Sequence, residues 1–258
     1  MEKTTVYDDQ TYVQLYDGYE CPQCLCENDN IVLLKFNRKF EAIDPFTANE
    51  LFIRYPVVIA LHKNEKIVEI RFDSLNRVFM KKPDDFYAQV VDEALEYIQS
   101  EYGQQLLALD MDFLIRKLRG ERDKDTNVCL IAQSMKMANG STADLHVGNN
   151  EEYVLPFIGE LQNLLIDYAS DFEKVPELKA ALEQYIYEKE AMSDYPWISL
   201  LWKDEIKTRS IQVKITFNYC QKSYHLLLHY ANTLVGMEKM NHVVRFISEA
   251  KGNPQPNI

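Results

Sequence analysis

Two kinds of hydrophobic spacing alternate along the chain and divide it into strand-like and helix-like stretches. Thr11-Tyr12-Val13-Gln14-Leu15-Tyr16 has strand composition ahead of the turn signal Asp17-Gly18, and Ile31-Val32-Leu33-Leu34-Lys35-Phe36 reads as a largely buried strand. Tyr55–Leu61 and Ile67–Phe72 are β-branched runs joined by the polar loop His62–Lys66, a spacing that predicts a hairpin. From Pro83 the period changes. Pro83-Asp84-Asp85 opens a helix with acids at its positive end, and Phe86, Val90, Val91, Ala94, Leu95 and Ile98 then share one stripe as far as Gly103. Leu106–Leu118 continues with apolar residues and closes on Arg116, Lys117 and Arg119 before Gly120, the signature of a helix C-terminus.

The charged run Glu121–Asp125 marks a boundary. Residues 1–120 then form a β-rich segment followed by a helical hairpin. Residues 121–258 form a mostly helical segment with one hairpin and one further strand, unless the two are one continuous domain. Within the second segment, Val128–Met137 and Asp144–Val147 pair as strands, and Val154–Phe172 and Glu177–Lys189 form a helical pair. Tyr195-Pro196-Trp197 opens an aromatic stretch, and Ile211–Phe217 alternates as a half-buried strand does. Tyr219–Leu234 and Met237–Ala250 read as helices hinged at Gly236. The order predicts an α+β fold: antiparallel hairpins in the N-terminal half and centre, packed against helical hairpins, with a helix-rich C-terminal half.

Composition narrows the functional classes. Forty Asp and Glu against 28 Lys and Arg leave a net charge of −12, so nucleic acid is not indicated as a partner. No run approaches the roughly 18 apolar residues that a membrane span needs, and the first residues lack a secretory leader. Five cysteines in 258 residues do not make a disulfide framework, and a reducing cytosol is the expected compartment. With only eight glycines, the chain lacks the glycine-rich phosphate loops and the nucleophile elbow of common enzyme folds.

Four groups of residues carry possible chemistry. Cys21-Pro22-Gln23-Cys24, with Cys26 beyond it, resembles one knuckle of the zinc-ribbon family, in which a tight turn brings two thiolates to one tetrahedral ion. No second knuckle follows, and no cofactor is expected unless zinc binds at this cluster. His225 and His229 lie one helical turn apart and could share a ligand on a helix, but Leu226 stands where a zincin has its glutamate base. Asp110 and Asp112 would share an ion on a strand but diverge on a helix, and their apolar neighbours favour a helix. Asp44 with Glu69-Ile70-Arg71 resembles the acid–strand–acid arrangement of restriction-type nucleases, with Arg71 in the place of the usual lysine.

Two functions follow as expectations. The first is a non-enzymatic interaction protein, a regulator, inhibitor or accessory subunit, that binds another protein or itself through acidic, tyrosine-rich surfaces. Its interface residues would be Tyr12, Tyr16, Tyr19, Trp197, Trp202 and, on the apolar stripe of the helix from Met237, Val244. The second is a metal-dependent hydrolase, first of all a nuclease, using some of Asp44, Glu69, Asp110 and Asp112.

Overall fold

The computed structural model describes residues 18–80, 84–103, 106–120, 127–148, 153–203, 210–230 and 237–252, with the side chains of 18–21 and 119–120 outside that description. Tyr12 and Tyr16 therefore lie outside the described residues, as does the strand expected over Thr11–Tyr16. Among the described residues the fold is α+β, built on two antiparallel sheets of four and five strands with most of its helix in the C-terminal half. Contacts divide the chain into two units, one of residues 1–108 with 236–258 and one of residues 109–235. The division lies before, not after, the charged run at 121–125.

The first unit is an up-and-down sheet of β1 (Gly18–Glu27), β2 (Ile31–Ile43), β3 (Glu50–His62) and β4 (Ile67–Phe72). β2 and β3 form a long hairpin, in register from Ile31 opposite His62 to Ile43 opposite Glu50. Because side chains alternate across a strand, each strand gives one set of residues to each face. Leu34, Phe36 and Ile59 face α1 (Phe86–Tyr102), packing against its Ala94 and Ile98. Tyr55 and Val57 meet Phe86 and Val90 one turn earlier. Rings interlock at this contact: Phe40, Tyr55 and Phe86 make mutual edge-on contacts, and Phe72 stacks on Tyr87. Each buried Phe or Ile contributes roughly 2 kcal/mol, so this face anchors the unit. Helix α1 ends where Gly103 turns left-handed at φ 59° and its N–H bonds the Gln99 carbonyl.

The other face carries Leu33, Val58 and Ala60, which pack with Met237 at the head of the helix Met237–Gly252. That helix buries Val243, Val244, Ile247 and Ala250. Val244 thus belongs to the core of its own unit, which corrects its expected place on an interface. The stripe is broad because it closes a sheet.

The second unit starts with α2 (Asp112–Gly120), then β5 (Val128–Lys136) and β6 (Thr142–His146). A helical segment follows: α3 (Ile158–Asp167), the short α4 (Ala169–Phe172) and α5 (Pro176–Ala191). β7 (Asp194–Trp202), β8 (Ile211–Thr216) and β9 (Leu226–Tyr230) complete a sheet ordered β6-β5-β7-β8-β9. Ile198, Leu200, Val213 and Ile215 are buried at its centre. Of the helix expected over Tyr219–Leu234, residues 231–234 lie outside the described residues, and over Tyr219–Tyr230 it is replaced by a tight 3₁₀ turn at Tyr219–Gln221 and the strand β9. Asn218, Cys220 and Gln221 all take positive φ there, which reverses the chain so that Leu226 meets Thr216 and Tyr230 meets Gln212. An unbroken Leu226-Leu227-Leu228 run satisfies either period, and pairing with β8 decided it. The first unit's final helix, Met237–Gly252, is α6 in chain order.

Candidate functional site

Glu69 and Arg71 are two apart on β4, so both point to the face that α6 covers. There they form a closed ionic cluster. His62 Nε2 lies 3.0 Å from Glu69 Oε2, and Arg71 Nη2 donates to the same oxygen at 2.7 Å. Arg71 Nη2 also donates to Asn241 Oδ1 of α6 at 2.6 Å, which ties the helix to the sheet. Burial pushes the Glu69 carboxyl up, but the His62 hydrogen bond and the Arg71 charge outweigh it and hold the group below its ordinary range. The same register row continues through Val58 to Lys35 and Gln23 on β2 and β1. Lys35 is 2% exposed, and loss of water lowers its amine to about 8. Arg71 Nε and Nη1 and Gln23 Oε1 are buried without a hydrogen-bond partner among the described residues. The Glu69 carboxylate, 14% exposed, thus pairs with both neighbouring cations, and Arg71 carries the bond to the helix.

Asp44 is not brought to Glu69. It closes the turn between β2 and β3, its Oδ1 accepting from the N–H of Phe46 at 2.8 Å and of Thr47 at 3.4 Å. Those bonds hold its exposed carboxyl below the ordinary range. Glu69 lies opposite Ala60 and, through it, Leu33, so the two acids are separated by about 36 Å of strand. In the other unit, Asp110 Oδ1 accepts from the Asp112 N–H at 2.9 Å and Asp112 stands in the first turn of α2. This pair caps a helix.

The histidine pair separates for a similar reason. His225 precedes β9 and His229 lies on it, so four residues of strand hold the rings about 13 Å apart rather than one helical turn. His225 Nδ1 accepts from the Asn218 N–H at 3.2 Å and its Nε2 donates to the Leu109 carbonyl, which fixes the neutral Nε2–H tautomer. Cys21, Cys24 and Cys26 lie along bulged strand β1, with Cys24 opposite Leu34 and Cys26 opposite Leu33, where a knuckle needs a tight turn. Among the described residues Cys24, Cys26, Cys129 and Cys220 form no disulfide. Among the described residues no three His, Cys, Asp or Glu side chains gather as a metal set.

Of the aromatic interface candidates, Tyr19 lies on β1 with its side chain outside the description, and Trp202 is buried. Trp197 is half-buried on β7, with the Lys214 ammonium 3.9 Å from its ring centroid and His146 beside it. The larger exposed surface is one the sequence did not single out. Between 157 and 192 the helical segment exposes Phe157, Leu164, Ile166, Tyr168, Val175, Leu178, Tyr185, Tyr187 and Met192. Helix α5 buries only Ile186 and Glu190 among its sixteen residues. Its Leu178 and Tyr185, and Met192 just past its end, are 53%, 54% and 65% exposed. α3 rests against α5, with Gln162 Nε2 donating to Glu190 Oε2 at 3.4 Å. The missed signal was the lack of a one-sided apolar pattern in Glu177–Lys189, which marks a helix not committed to a core.

No helix among the described residues is long and apolar enough to cross a membrane. Comparison with family models, curated proteins and solved structures found no match to this chain.

Proposed function

We propose that this chain acts by binding another protein, as a regulator, inhibitor or accessory subunit in the cytosol, and that the helical segment 157–192 is its contact surface. The observation that carries the reading is the row of large apolar and aromatic side chains left in water on α3 to α5. Burying such a surface is favourable by roughly 25 cal/mol per Å², and contiguous exposed apolar patches mark interaction sites. Tyrosine suits the task, since each ring contributes apolar area and a hydroxyl that tolerates water. The acidic groups offered for hydrolysis cap turns or pair with cations, which supports the same reading.

The test is co-purification from source cells of tagged wild type, Tyr185→Asp and Asp44→Asn. Wild type and Asp44→Asn should carry a partner at near-equal amount, and Tyr185→Asp should lose both partner and biological activity at unchanged Tm. Loss of activity in Asp44→Asn, with Tyr185→Asp fully active and equally stable, would sink the reading and favour hydrolysis.

A further inference from the structure

Resting on that reading, we infer the chemistry of the partner: the α5 stripe is the docking site for a basic amphipathic helix. Leu178, Leu182, Tyr185 and Met192 follow one another at spacings of four, three and seven residues. At 100° per residue all four fall within about 80° of arc, over a length of about 21 Å. Ile186 and Glu190, which face the helix's own unit, lie about 40° and 80° beyond the half-buried Leu182 at one edge of that stripe, so docking within the unit leaves Leu178, Tyr185 and Met192 exposed. Lys189 is the one charge within that arc, its ammonium lying over the Tyr185 ring, and the apolar residues around it match the i, i+3, i+4, i+7 anchors of a single partner helix.

Charge selects the partner's sign. Residues 157–192 hold eight Asp and Glu against three Lys. Those lysines are engaged locally: Lys174 with Asp171 at 2.7 Å, Lys179 with Glu183 at 3.8 Å, and Lys189 over the Tyr185 ring at 5.3 Å. Glu177 and Glu188 flank one edge of the stripe, on the side away from Ile186. A second copy docking face to face would set two acidic surfaces together, a like-charge juxtaposition that disfavours self-association. An anionic lipid surface is repelled for the same reason. A helix with leucines on one face and Lys or Arg beside them buries the stripe and pairs with the flanking glutamates.

The experiment titrates the full-length protein with an 18-residue Leu/Ala/Lys/Arg peptide patterned as an amphipathic helix, followed by calorimetry. Controls are a peptide of the same composition in shuffled order and one with Glu in place of Lys and Arg. The basic helix should bind at least tenfold more tightly than either control, and tenfold more weakly to Tyr185→Asp and to Glu177→Lys/Glu188→Lys. Affinity should also fall severalfold between 50 and 300 mM NaCl. Equal binding of the shuffled peptide, or of Tyr185→Asp, overturns the proposal. So does sedimentation showing a wild-type dimer that Tyr185→Asp dissolves, which would make a second copy the occupant. Should Tyr185→Asp lower the Tm, Met192→Glu carries the same comparison. A cellular partner that still depends on Tyr185 while all three peptides fail would leave the interaction reading standing and refute only the partner chemistry.

Discussion

Lys35→Met is expected to stabilise the protein at neutral pH and to lose that advantage in alkali. Lys35 sits in the middle of β2, between Gln23 of β1 and Val58 of β3, with 2% of its surface exposed. Burial strips water from the ammonium and lowers its pKa from 10.5 to about 8. At roughly 1.4 kcal/mol per pH unit, holding the proton in the folded state costs about 3 kcal/mol at pH 7. Methionine keeps the length and apolar stem without the charge, so a net gain of about 1–3 kcal/mol remains after losing the ammonium's own contacts. Below pH 8 both states are protonated and the cost is full. Between pH 8 and 10.5 the unfolded chain still binds the proton that the folded chain has released, so wild-type stability climbs until the cost is gone. Urea unfolding of both proteins from pH 6 to 11 measures this. The variant's lead should be flat to about pH 8 and then shrink. A variant less stable than wild type at pH 7, by a margin that does not change to pH 11, would refute the reasoning.

Glu69→Gln should cost about 3–5 kcal/mol at pH 7, because it leaves the Arg71 cation buried beside a neutral amide. The folded Glu69 titrates below its ordinary 4.5, so its contribution is complete above that pH and is lost as pH falls through the folded value. The variant's urea midpoint should therefore lack that share of the acid limb. Val244→Asp should unfold the first unit, with loss of near-UV dichroism, rather than yield a smaller folded species by light scattering. Cys24→Ser should leave the Tm unchanged with or without a chelator, and elemental analysis should find no zinc equivalent that the substitution removes.

What the sequence revealed follows from how local each decision is. The α1 stripe from Phe86 to Ile98 was legible because one helix packs one face against one sheet. The β3–β4 hairpin was legible because its two β-branched runs and short polar loop leave a single register. Glu69 and Arg71, two apart on a strand, share one of its sides, yet nothing near them in the sequence shows what covers them. Their lid is Asn241, 170 residues from Arg71, and distance in sequence hid it. His225 and His229 misled because an i, i+4 pair has meaning only once the period is known, and the leucines between them fit both periods. The exposed line on α5 was hidden for a related reason: the run reads as a helix, but only the packed fold tells which of its sides is left bare.

The first unit is interrupted in the chain: its sheet is made from residues before 108, and the helix that seals one face of that sheet comes after 235. A ribosome therefore finishes the whole second unit while Leu33, Val58, Ala60 and the Glu69–Arg71 pair still lack their lid. At about 5–20 residues per second, synthesis of the intervening 109–235 holds that half-finished sheet open for roughly 6–25 seconds. During that interval β1 and β4 are open edges beside a bare face, the state in which strands recruit the wrong partner. The ionic cluster offers a safeguard here. Charges on the uncovered face keep it wet and poorly adhesive until Asn241 arrives to bond Arg71, so the polar row that weakens the finished core protects the nascent one.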